Sequence, residues 1–266
     1  MLPILERAGY AVFAISYDRA ADLAAFAAAH HIDYALLADE GSRVIRELGV
    51  LDRDLEAHHA AFGGTTRPEQ LGVAYPMTFV LDGTGRVERK IVEANYRLRN
   101  GGHWLVQELL GEAADERGPR IEATTTGPLA IVSGRAWLDS PSYFPYQRLG
   151  FHFELSVAPG WHLYGPAVPV GYTALRIDIV SGPEGVRMGP IAWPEPTPFR
   201  IQGLDEEFSV YEGTVAITVP LDFTLPKNSG VVRLEIAVHF QTCSASECLP
   251  PNAISLTLAV PEAPVP

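Results

Sequence analysis

Cysteine is almost missing from this chain: 266 residues hold two, Cys243 and Cys248. The thiolate is the nucleophile and metal ligand of cysteine chemistry, so residues 1–242 cannot supply that chemistry. Two cysteines with only His239 near them in sequence also fall short of a four-ligand zinc site, and no metal is expected. Basic residues are outnumbered, 20 Lys and Arg against 32 Asp and Glu, for a formal charge of −12. That balance excludes a nucleic-acid partner, because phosphate binding needs a basic face. The acidic excess is shared evenly by residues 1–118 and 119–266, so no acidic tail or basic arm stands out. Apolar runs near the roughly 20 residues that cross a bilayer are missing too, so no transmembrane segment is expected. Residues 1–7 lack the basic start, apolar stretch and small-residue cleavage site of a secretory leader. No motif implies a cofactor. His30-His31 and His58-His59 suit solvated helix ends or loops, with no carboxylate cluster at ligand spacing.

What is present divides into two periods. Tyr10–Ser16 is a continuous apolar run, as in a strand buried on both faces. Asp18 is placed to cap a helix over Arg19–His30. Tyr34–Leu37 predicts a second strand, and Ser42–Leu48 a second helix ended by Gly49. Residues 51–70 suggest a long excursion. Met77–Leu81 and Arg86–Val92 flank Asp82-Gly83-Thr84-Gly85, a hairpin signal. A helix over His103–Gly111 is expected to close this mixed α/β unit at about residue 115. Residues 116–127 form the expected linker. From residue 128 to 266 the helical period disappears. Short β-rich runs follow over Leu129–Leu138, Gly150–Val157, Ala174–Val180, Glu207–Tyr211, Thr214–Leu221, Val231–Gln241 and Ala253–Val260. Their spacing, with Gly and Pro between them, is the pattern of a β-sandwich.

The first half, through Ala74-Tyr75-Pro76-Met77-Thr78-Phe79-Val80-Leu81-Asp82-Gly83-Thr84-Gly85, resembles thioredoxin-like redoxins of the peroxiredoxin branch. The resemblance implies a cis proline at Pro76. It also places a catalytic cysteine a few residues before a Leu-Pro-x-Leu segment, matched here by Leu2-Pro3-Ile4-Leu5. The chain begins just after that place. The strand leading into the first helix is lacking as well, so the fold is expected to be incomplete and the unit neither a peroxidase nor a dithiol oxidoreductase by itself. A longer parent protein and a degenerate scaffold both explain this. The first is favoured, because losing a central strand exposes a sheet edge.

The second half resembles the amino-terminal domain of DsbD-type thiol:disulfide interchange proteins, an immunoglobulin-like sandwich. Three segments carry the likeness: Pro159-Gly160-Trp161-His162-Leu163-Tyr164, Val210-Tyr211-Glu212-Gly213-Thr214-Val215, and Gln241-Thr242-Cys243 through Cys248-Leu249-Pro250-Pro251. The resemblance implies a redox-active Cys243–Cys248 disulfide, a periplasmic or otherwise extracytoplasmic setting, and other thiol-disulfide oxidoreductases as partners. Cys248 would form the mixed disulfide and Cys243 resolve it. Tyr164 and Trp161 would flank the site, and Phe208 is the candidate for a shielding cap loop.

The residues alone leave staple and switch open. A ring this small contributes only about 2 kcal/mol by chain entropy and ties together near neighbours. Ser244, Ala245 and Ser246 leave the sulfurs approachable, while Pro250 and Pro251 stiffen the loop. No Lys, Arg or His lies within the ring to activate a thiol, and Glu247 opposes activation. A noncatalytic adaptor with a structural disulfide is the competing reading.

Overall fold

The computed structural model describes residues 1–111, 121–122, 124–126, 131–166, 168–200 and 207–264. The chain forms two compact units, residues 1–98 and 99–265, an α/β unit and an all-β unit.

In the first, the parallel strands Phe13–Ser16 and Ala35–Ala38 are joined through the helix Ala20–Ala29. Asp18 does not cap that helix; it accepts from the Ser16 hydroxyl at 2.5 Å, and Arg19 pairs with Asp22. Asp39, at the end of the second strand, accepts from the backbone N–H groups of Val44 and Ile45 at 3.1 and 2.9 Å. It thereby serves the orphan donors of the helix Arg43–Glu47. Burial resists ionisation of Asp39, but those N–H groups hold its carboxyl below the usual range. Gly49 takes φ +70 beyond this helix, a conformation that suits glycine. The hairpin Met77–Leu81/Val87–Val92 closes as expected. The Asp82 carboxylate accepts from Thr84 N, Thr84 Oγ1 and Arg86 N at 2.8, 2.7 and 3.0 Å.

Three expectations change here. Residues 51–70 contain a helix, Leu55–Ala61, anchored by buried Leu55. The Tyr75–Pro76 bond is trans, as are all described peptide bonds; trans is the ordinary isomer by about 0.5–1 kcal/mol. The parallel pair and the hairpin remain separate two-stranded sheets. Phe13, Ile15 and Leu37 are exposed on the parallel pair, so this thioredoxin-like fold lacks a continuous sheet.

The second unit is an immunoglobulin-like sandwich. One sheet runs Val186–Met188, Thr214–Phe223, Gln147–Val157, Val132–Leu138, Ile121–Glu122; the other runs Arg176–Ser181, Val232–Phe240, Asn252–Val260, Thr124–Thr126. Alternation puts one face of each long strand inward. Phe151, Phe153 and Leu155 meet Ile217, Val219, Ile236, Val238, Leu256 and Leu258 in one core.

The helix Gly102–Leu110 belongs to this unit, not the first. Arg99–Asn100 pairs in parallel with Gln147–Arg148, and Gln107 Nε2 donates to Thr218 Oγ1 at 2.5 Å. Gly101 is required at the approach, since a Cβ there would lie 2.9 Å from the Arg148 carbonyl oxygen. The expected linker is partly strand as well: Ile121–Glu122 and Thr124–Thr126 pair with Val132–Leu138 and Asn252–Val260. β-Branched Ile121 and the threonines suit extended backbone despite the polarity that suggested a linker. Residues 112–120 lie outside the described residues.

Candidate functional site: a half-buried disulfide in a small side sheet

A third sheet, of short strands, carries the two sulfurs. Its order is Thr197–Arg200, Glu207–Tyr211, Trp161–Tyr164, Thr242–Ser244. Register places Trp161 opposite Ser244, His162 opposite Cys243 and Leu163 opposite Thr242. On the other side Tyr164 faces Val210, and Phe208 faces Phe199. Strand periodicity then sorts the Trp161–Tyr164 segment onto two faces. Leu163 joins the main core, with half-buried Trp161 against it. His162 and Tyr164 lie on the face that holds Cys243.

Cys243 and Cys248 are disulfide-bonded, with 4.1 Å between their Cα atoms. The ring closes a tight reversal. Ser244 N donates to the Glu247 carbonyl at 2.8 Å, and Leu249 N to the Thr242 carbonyl at 2.9 Å. The Ser244 hydroxyl accepts from Ser246 N and Glu247 N at 3.3 and 3.2 Å. Gln241 ties the base of the loop: its Nε2 donates to the Leu249 carbonyl at 3.0 Å, and its Oε1 accepts from Thr173 N at 2.9 Å. The backbone of the ring is therefore held independently of the sulfur–sulfur bond.

The two sulfurs have opposite surroundings. Cys243 has no solvent exposure and packs in a cluster with Tyr164, Phe208 and Val210, while Cys248 is exposed with Ala245, Ser246 and Glu247. The Tyr164 hydroxyl donates to Cys248 Sγ at 3.6 Å, since a disulfide sulfur carries no proton. Tyr164, Tyr172 and Phe208 form a ring cluster with centroids 5.0–5.5 Å apart. Burial, with a smaller contribution from Tyr172, pushes the Tyr164 phenol up to about 12. It stays a neutral donor at any physiological pH.

Tyr164, Phe208, Cys243 and Cys248 thus meet, while Trp161 packs on the main core. Phe208 lies on a strand with its ring buried against Tyr164 and Tyr172, in the cluster that holds Cys243. Leu204, Asp205 and Glu206, which precede it in the chain, lie outside the described residues. Two site residues escaped the sequence reading. Tyr172 sits in an irregular segment that carries no signal. His162 was detectable by alternation, being two residues from Tyr164 on the same face. It is 2% exposed, and its Nε2 has no hydrogen-bond partner among the described residues. Its ring lies 4.3 Å from that of Phe199 and 5.7 Å from that of Tyr164.

The histidine pairs of the first unit are not all solvated as expected. His58 Nδ1 bonds buried Asp52 at 3.0 Å and its ring stacks on Tyr96 at 4.5 Å, while His59 Nδ1 bonds the Thr66 hydroxyl at 2.9 Å. Among the described residues no group of three or more His, Cys, Asp or Glu could hold a metal, and no helix is long and apolar enough to cross a membrane.

Two family models match the chain. Residues 138–259 match the family described as thiol:disulfide interchange protein DsbD, N-terminal, and residues 1–90 match the AhpC/TSA family. A redoxin-family match is thus followed along the chain by a match to the DsbD N-terminal family. No curated protein matches it. Among solved structures, the N-terminal periplasmic domain of ScsB from Proteus mirabilis is similar at 19% identity and a TM-score of 0.39, over 53% of this chain and 51% of that one. The match spans only about half of that domain. The DsbD N-terminal domain of Neisseria meningitidis in the reduced form is similar at 12% identity and a TM-score of 0.28, over 42% of this chain and 76% of that one.

Proposed function

We propose that the chain exchanges thiols and disulfides with other proteins in an extracytoplasmic compartment, through Cys248 as the attacked sulfur and Cys243 as the resolving one. The observation that carries this is the asymmetry of the pair: Cys248 is exposed, and Cys243 is sealed at 0% exposure. An incoming thiolate would reach the exposed end of the bond in line, which supports this order of events. Attack on Cys248 Sγ forms the mixed disulfide and releases Cys243 as the thiolate. In the reverse direction Cys243 attacks Cys248 Sγ and frees the partner. Partners are expected to be other thiol-disulfide oxidoreductases, in keeping with a matched family described as a thiol:disulfide interchange protein. Residues 1–90 match a redoxin family yet contain no cysteine, so that unit supplies no thiol to the exchange.

Trapping tests the assignment. With Cys243→Ser, Cys248 should accumulate as a stable mixed disulfide with a thioredoxin-type dithiol protein. With Cys248→Ser, the buried Cys243 should not. Equal trapping by both variants, or by neither, would overturn it.

A further inference from the structure

The ring contains no cationic side chain to support a thiolate, but the neighbouring strand does hold a titratable one against it. His162 is the cross-strand partner of Cys243. Directly opposed residues of an antiparallel pair project to the same face with Cβ atoms about 4.5–5.5 Å apart. Two observations set His162 apart from an ordinary packed ring. Its Nε2 is buried and has no hydrogen-bond partner among the described residues, an exception among buried polar groups, which are nearly all hydrogen-bonded. Its ring also lies against groups that offer it no proton exchange, Phe199 on one side and the neutral Tyr164 phenol on another, while the Cys243 opposite it in register is tied up in a disulfide that cannot donate.

We propose that His162 is the proton partner of Cys243, resting unpaired beside the closed disulfide and forming an imidazolium–thiolate pair when the bond opens. The inference rests on the exchange reading above and names the group that makes its buried leaving sulfur chemically acceptable.

The step balances as follows. A partner dithiol loses one proton and attacks Cys248 Sγ through the resulting thiolate. The Sγ–Sγ bond breaks and its electron pair goes to Cys243 Sγ. The proton shed by the partner is taken up on the free nitrogen of His162, beside the new thiolate. The partner's second thiol, as thiolate, then attacks its own mixed-disulfide sulfur and releases Cys248, which takes the second proton. The partner dithiol is oxidised to a disulfide, and Cys243 and Cys248 are reduced, with two electrons and two protons transferred.

The charged and titratable groups around His162 give the sign. Burial holds its imidazole below the ordinary value in the oxidised protein, and Glu212 opposes that only partly. Tyr164 stays neutral, and the disulfide carries no charge. Opening the ring adds one negative charge on the strand opposite, and an opposite charge within about 4–6 Å raises a histidine pKa by about 1–3 units. The two groups then titrate as a coupled pair.

The test needs no mutation. The ring protons of His162 are followed by NMR across pH in the full chain, first oxidised and then reduced with excess dithiothreitol, with opening of the ring confirmed by thiol counting. The expected result is an upward shift of the His162 midpoint by at least about one pH unit on reduction. An unchanged midpoint in a protein whose ring has opened overturns the inference and leaves the exchange reading intact. Failure of both cysteines to trap a partner, tested separately, would sink that reading. A second measurement guards against a merely structural role: in reduced His162→Phe, thiolate absorbance in the far ultraviolet should appear at higher pH than in the parent. Coincident curves would also overturn the proposal.

Discussion

Tyr164 and His162 sit two residues apart, on the same face of a four-residue strand, and burial acts on them in opposite directions. It raises the phenol and lowers the imidazole, because in both it disfavours the charged form. For Tyr164, Tyr164→Phe should keep the ring in its cluster and change stability by no more than about 1 kcal/mol. In an ultraviolet titration the absorbance lost should be the component near pH 12 rather than near the ordinary tyrosine value of 10. For His162 the sign runs toward acid instability. Its folded pKa lies below the unfolded value, so the unfolded chain binds more protons just under pH ~6.5. Stability is then complete above that pH and falls as pH drops through the folded value. His103, lowered first by its burial with Asp139 opposing, adds to the same trend. Urea midpoints should fall between about pH 7 and about pH 5, and His162→Phe should flatten that fall. Phe208→Ala removes a ring packed against Tyr164 and Tyr172 and should cost about 3–5 kcal/mol in chemical denaturation.

At the scale of elements, legibility followed length. Thr214–Phe223 and Val232–Phe240 are ten and nine residues long and alternate buried and exposed positions over their first halves, and such strands could be read directly. Of the strands that build the site only Glu207–Tyr211 could. Thr242–Ser244 and Thr197–Arg200 are three and four residues long, too short to establish a period of two. The pairing partner of Thr242–Ser244 is distant in sequence, so the neighbour relation between His162 and Cys243 exists only in the sheet register. The cysteine ring, by contrast, was legible because both sulfurs lie in one short segment. What the sequence hid was which sulfur faces out. The helix Gly102–Leu110 was placed correctly along the chain but in the wrong unit, because its apolar face does not specify which sheet it covers. Gln241 is the element-scale test. Gln241→Leu leaves Thr173 N–H and the Leu249 carbonyl without the amide that joins them. That should cost about 1–3 kcal/mol and speed hydrogen exchange at the Thr173 amide.

Across the whole molecule, the chain has one well-formed unit and one partial one. Residues 99–265 carry the extensive core of Phe151, Phe153, Ile217 and Ile236. Residues 1–98 divide their strands into two separate pairs with Phe13 and Ile15 exposed. Residues 99–266 expressed alone should therefore unfold in a single cooperative transition and keep the reactivity of Cys248. A broad, noncooperative transition would show that the sandwich depends on the first unit. The central claim remains that Cys243–Cys248 is opened and closed in use rather than serving as a brace. Its most direct measurement is the equilibrium reduction midpoint of that pair in the full chain. A value near −200 mV is the result expected of an exchange site, and a value well below about −300 mV, typical of a structural disulfide, would contradict it.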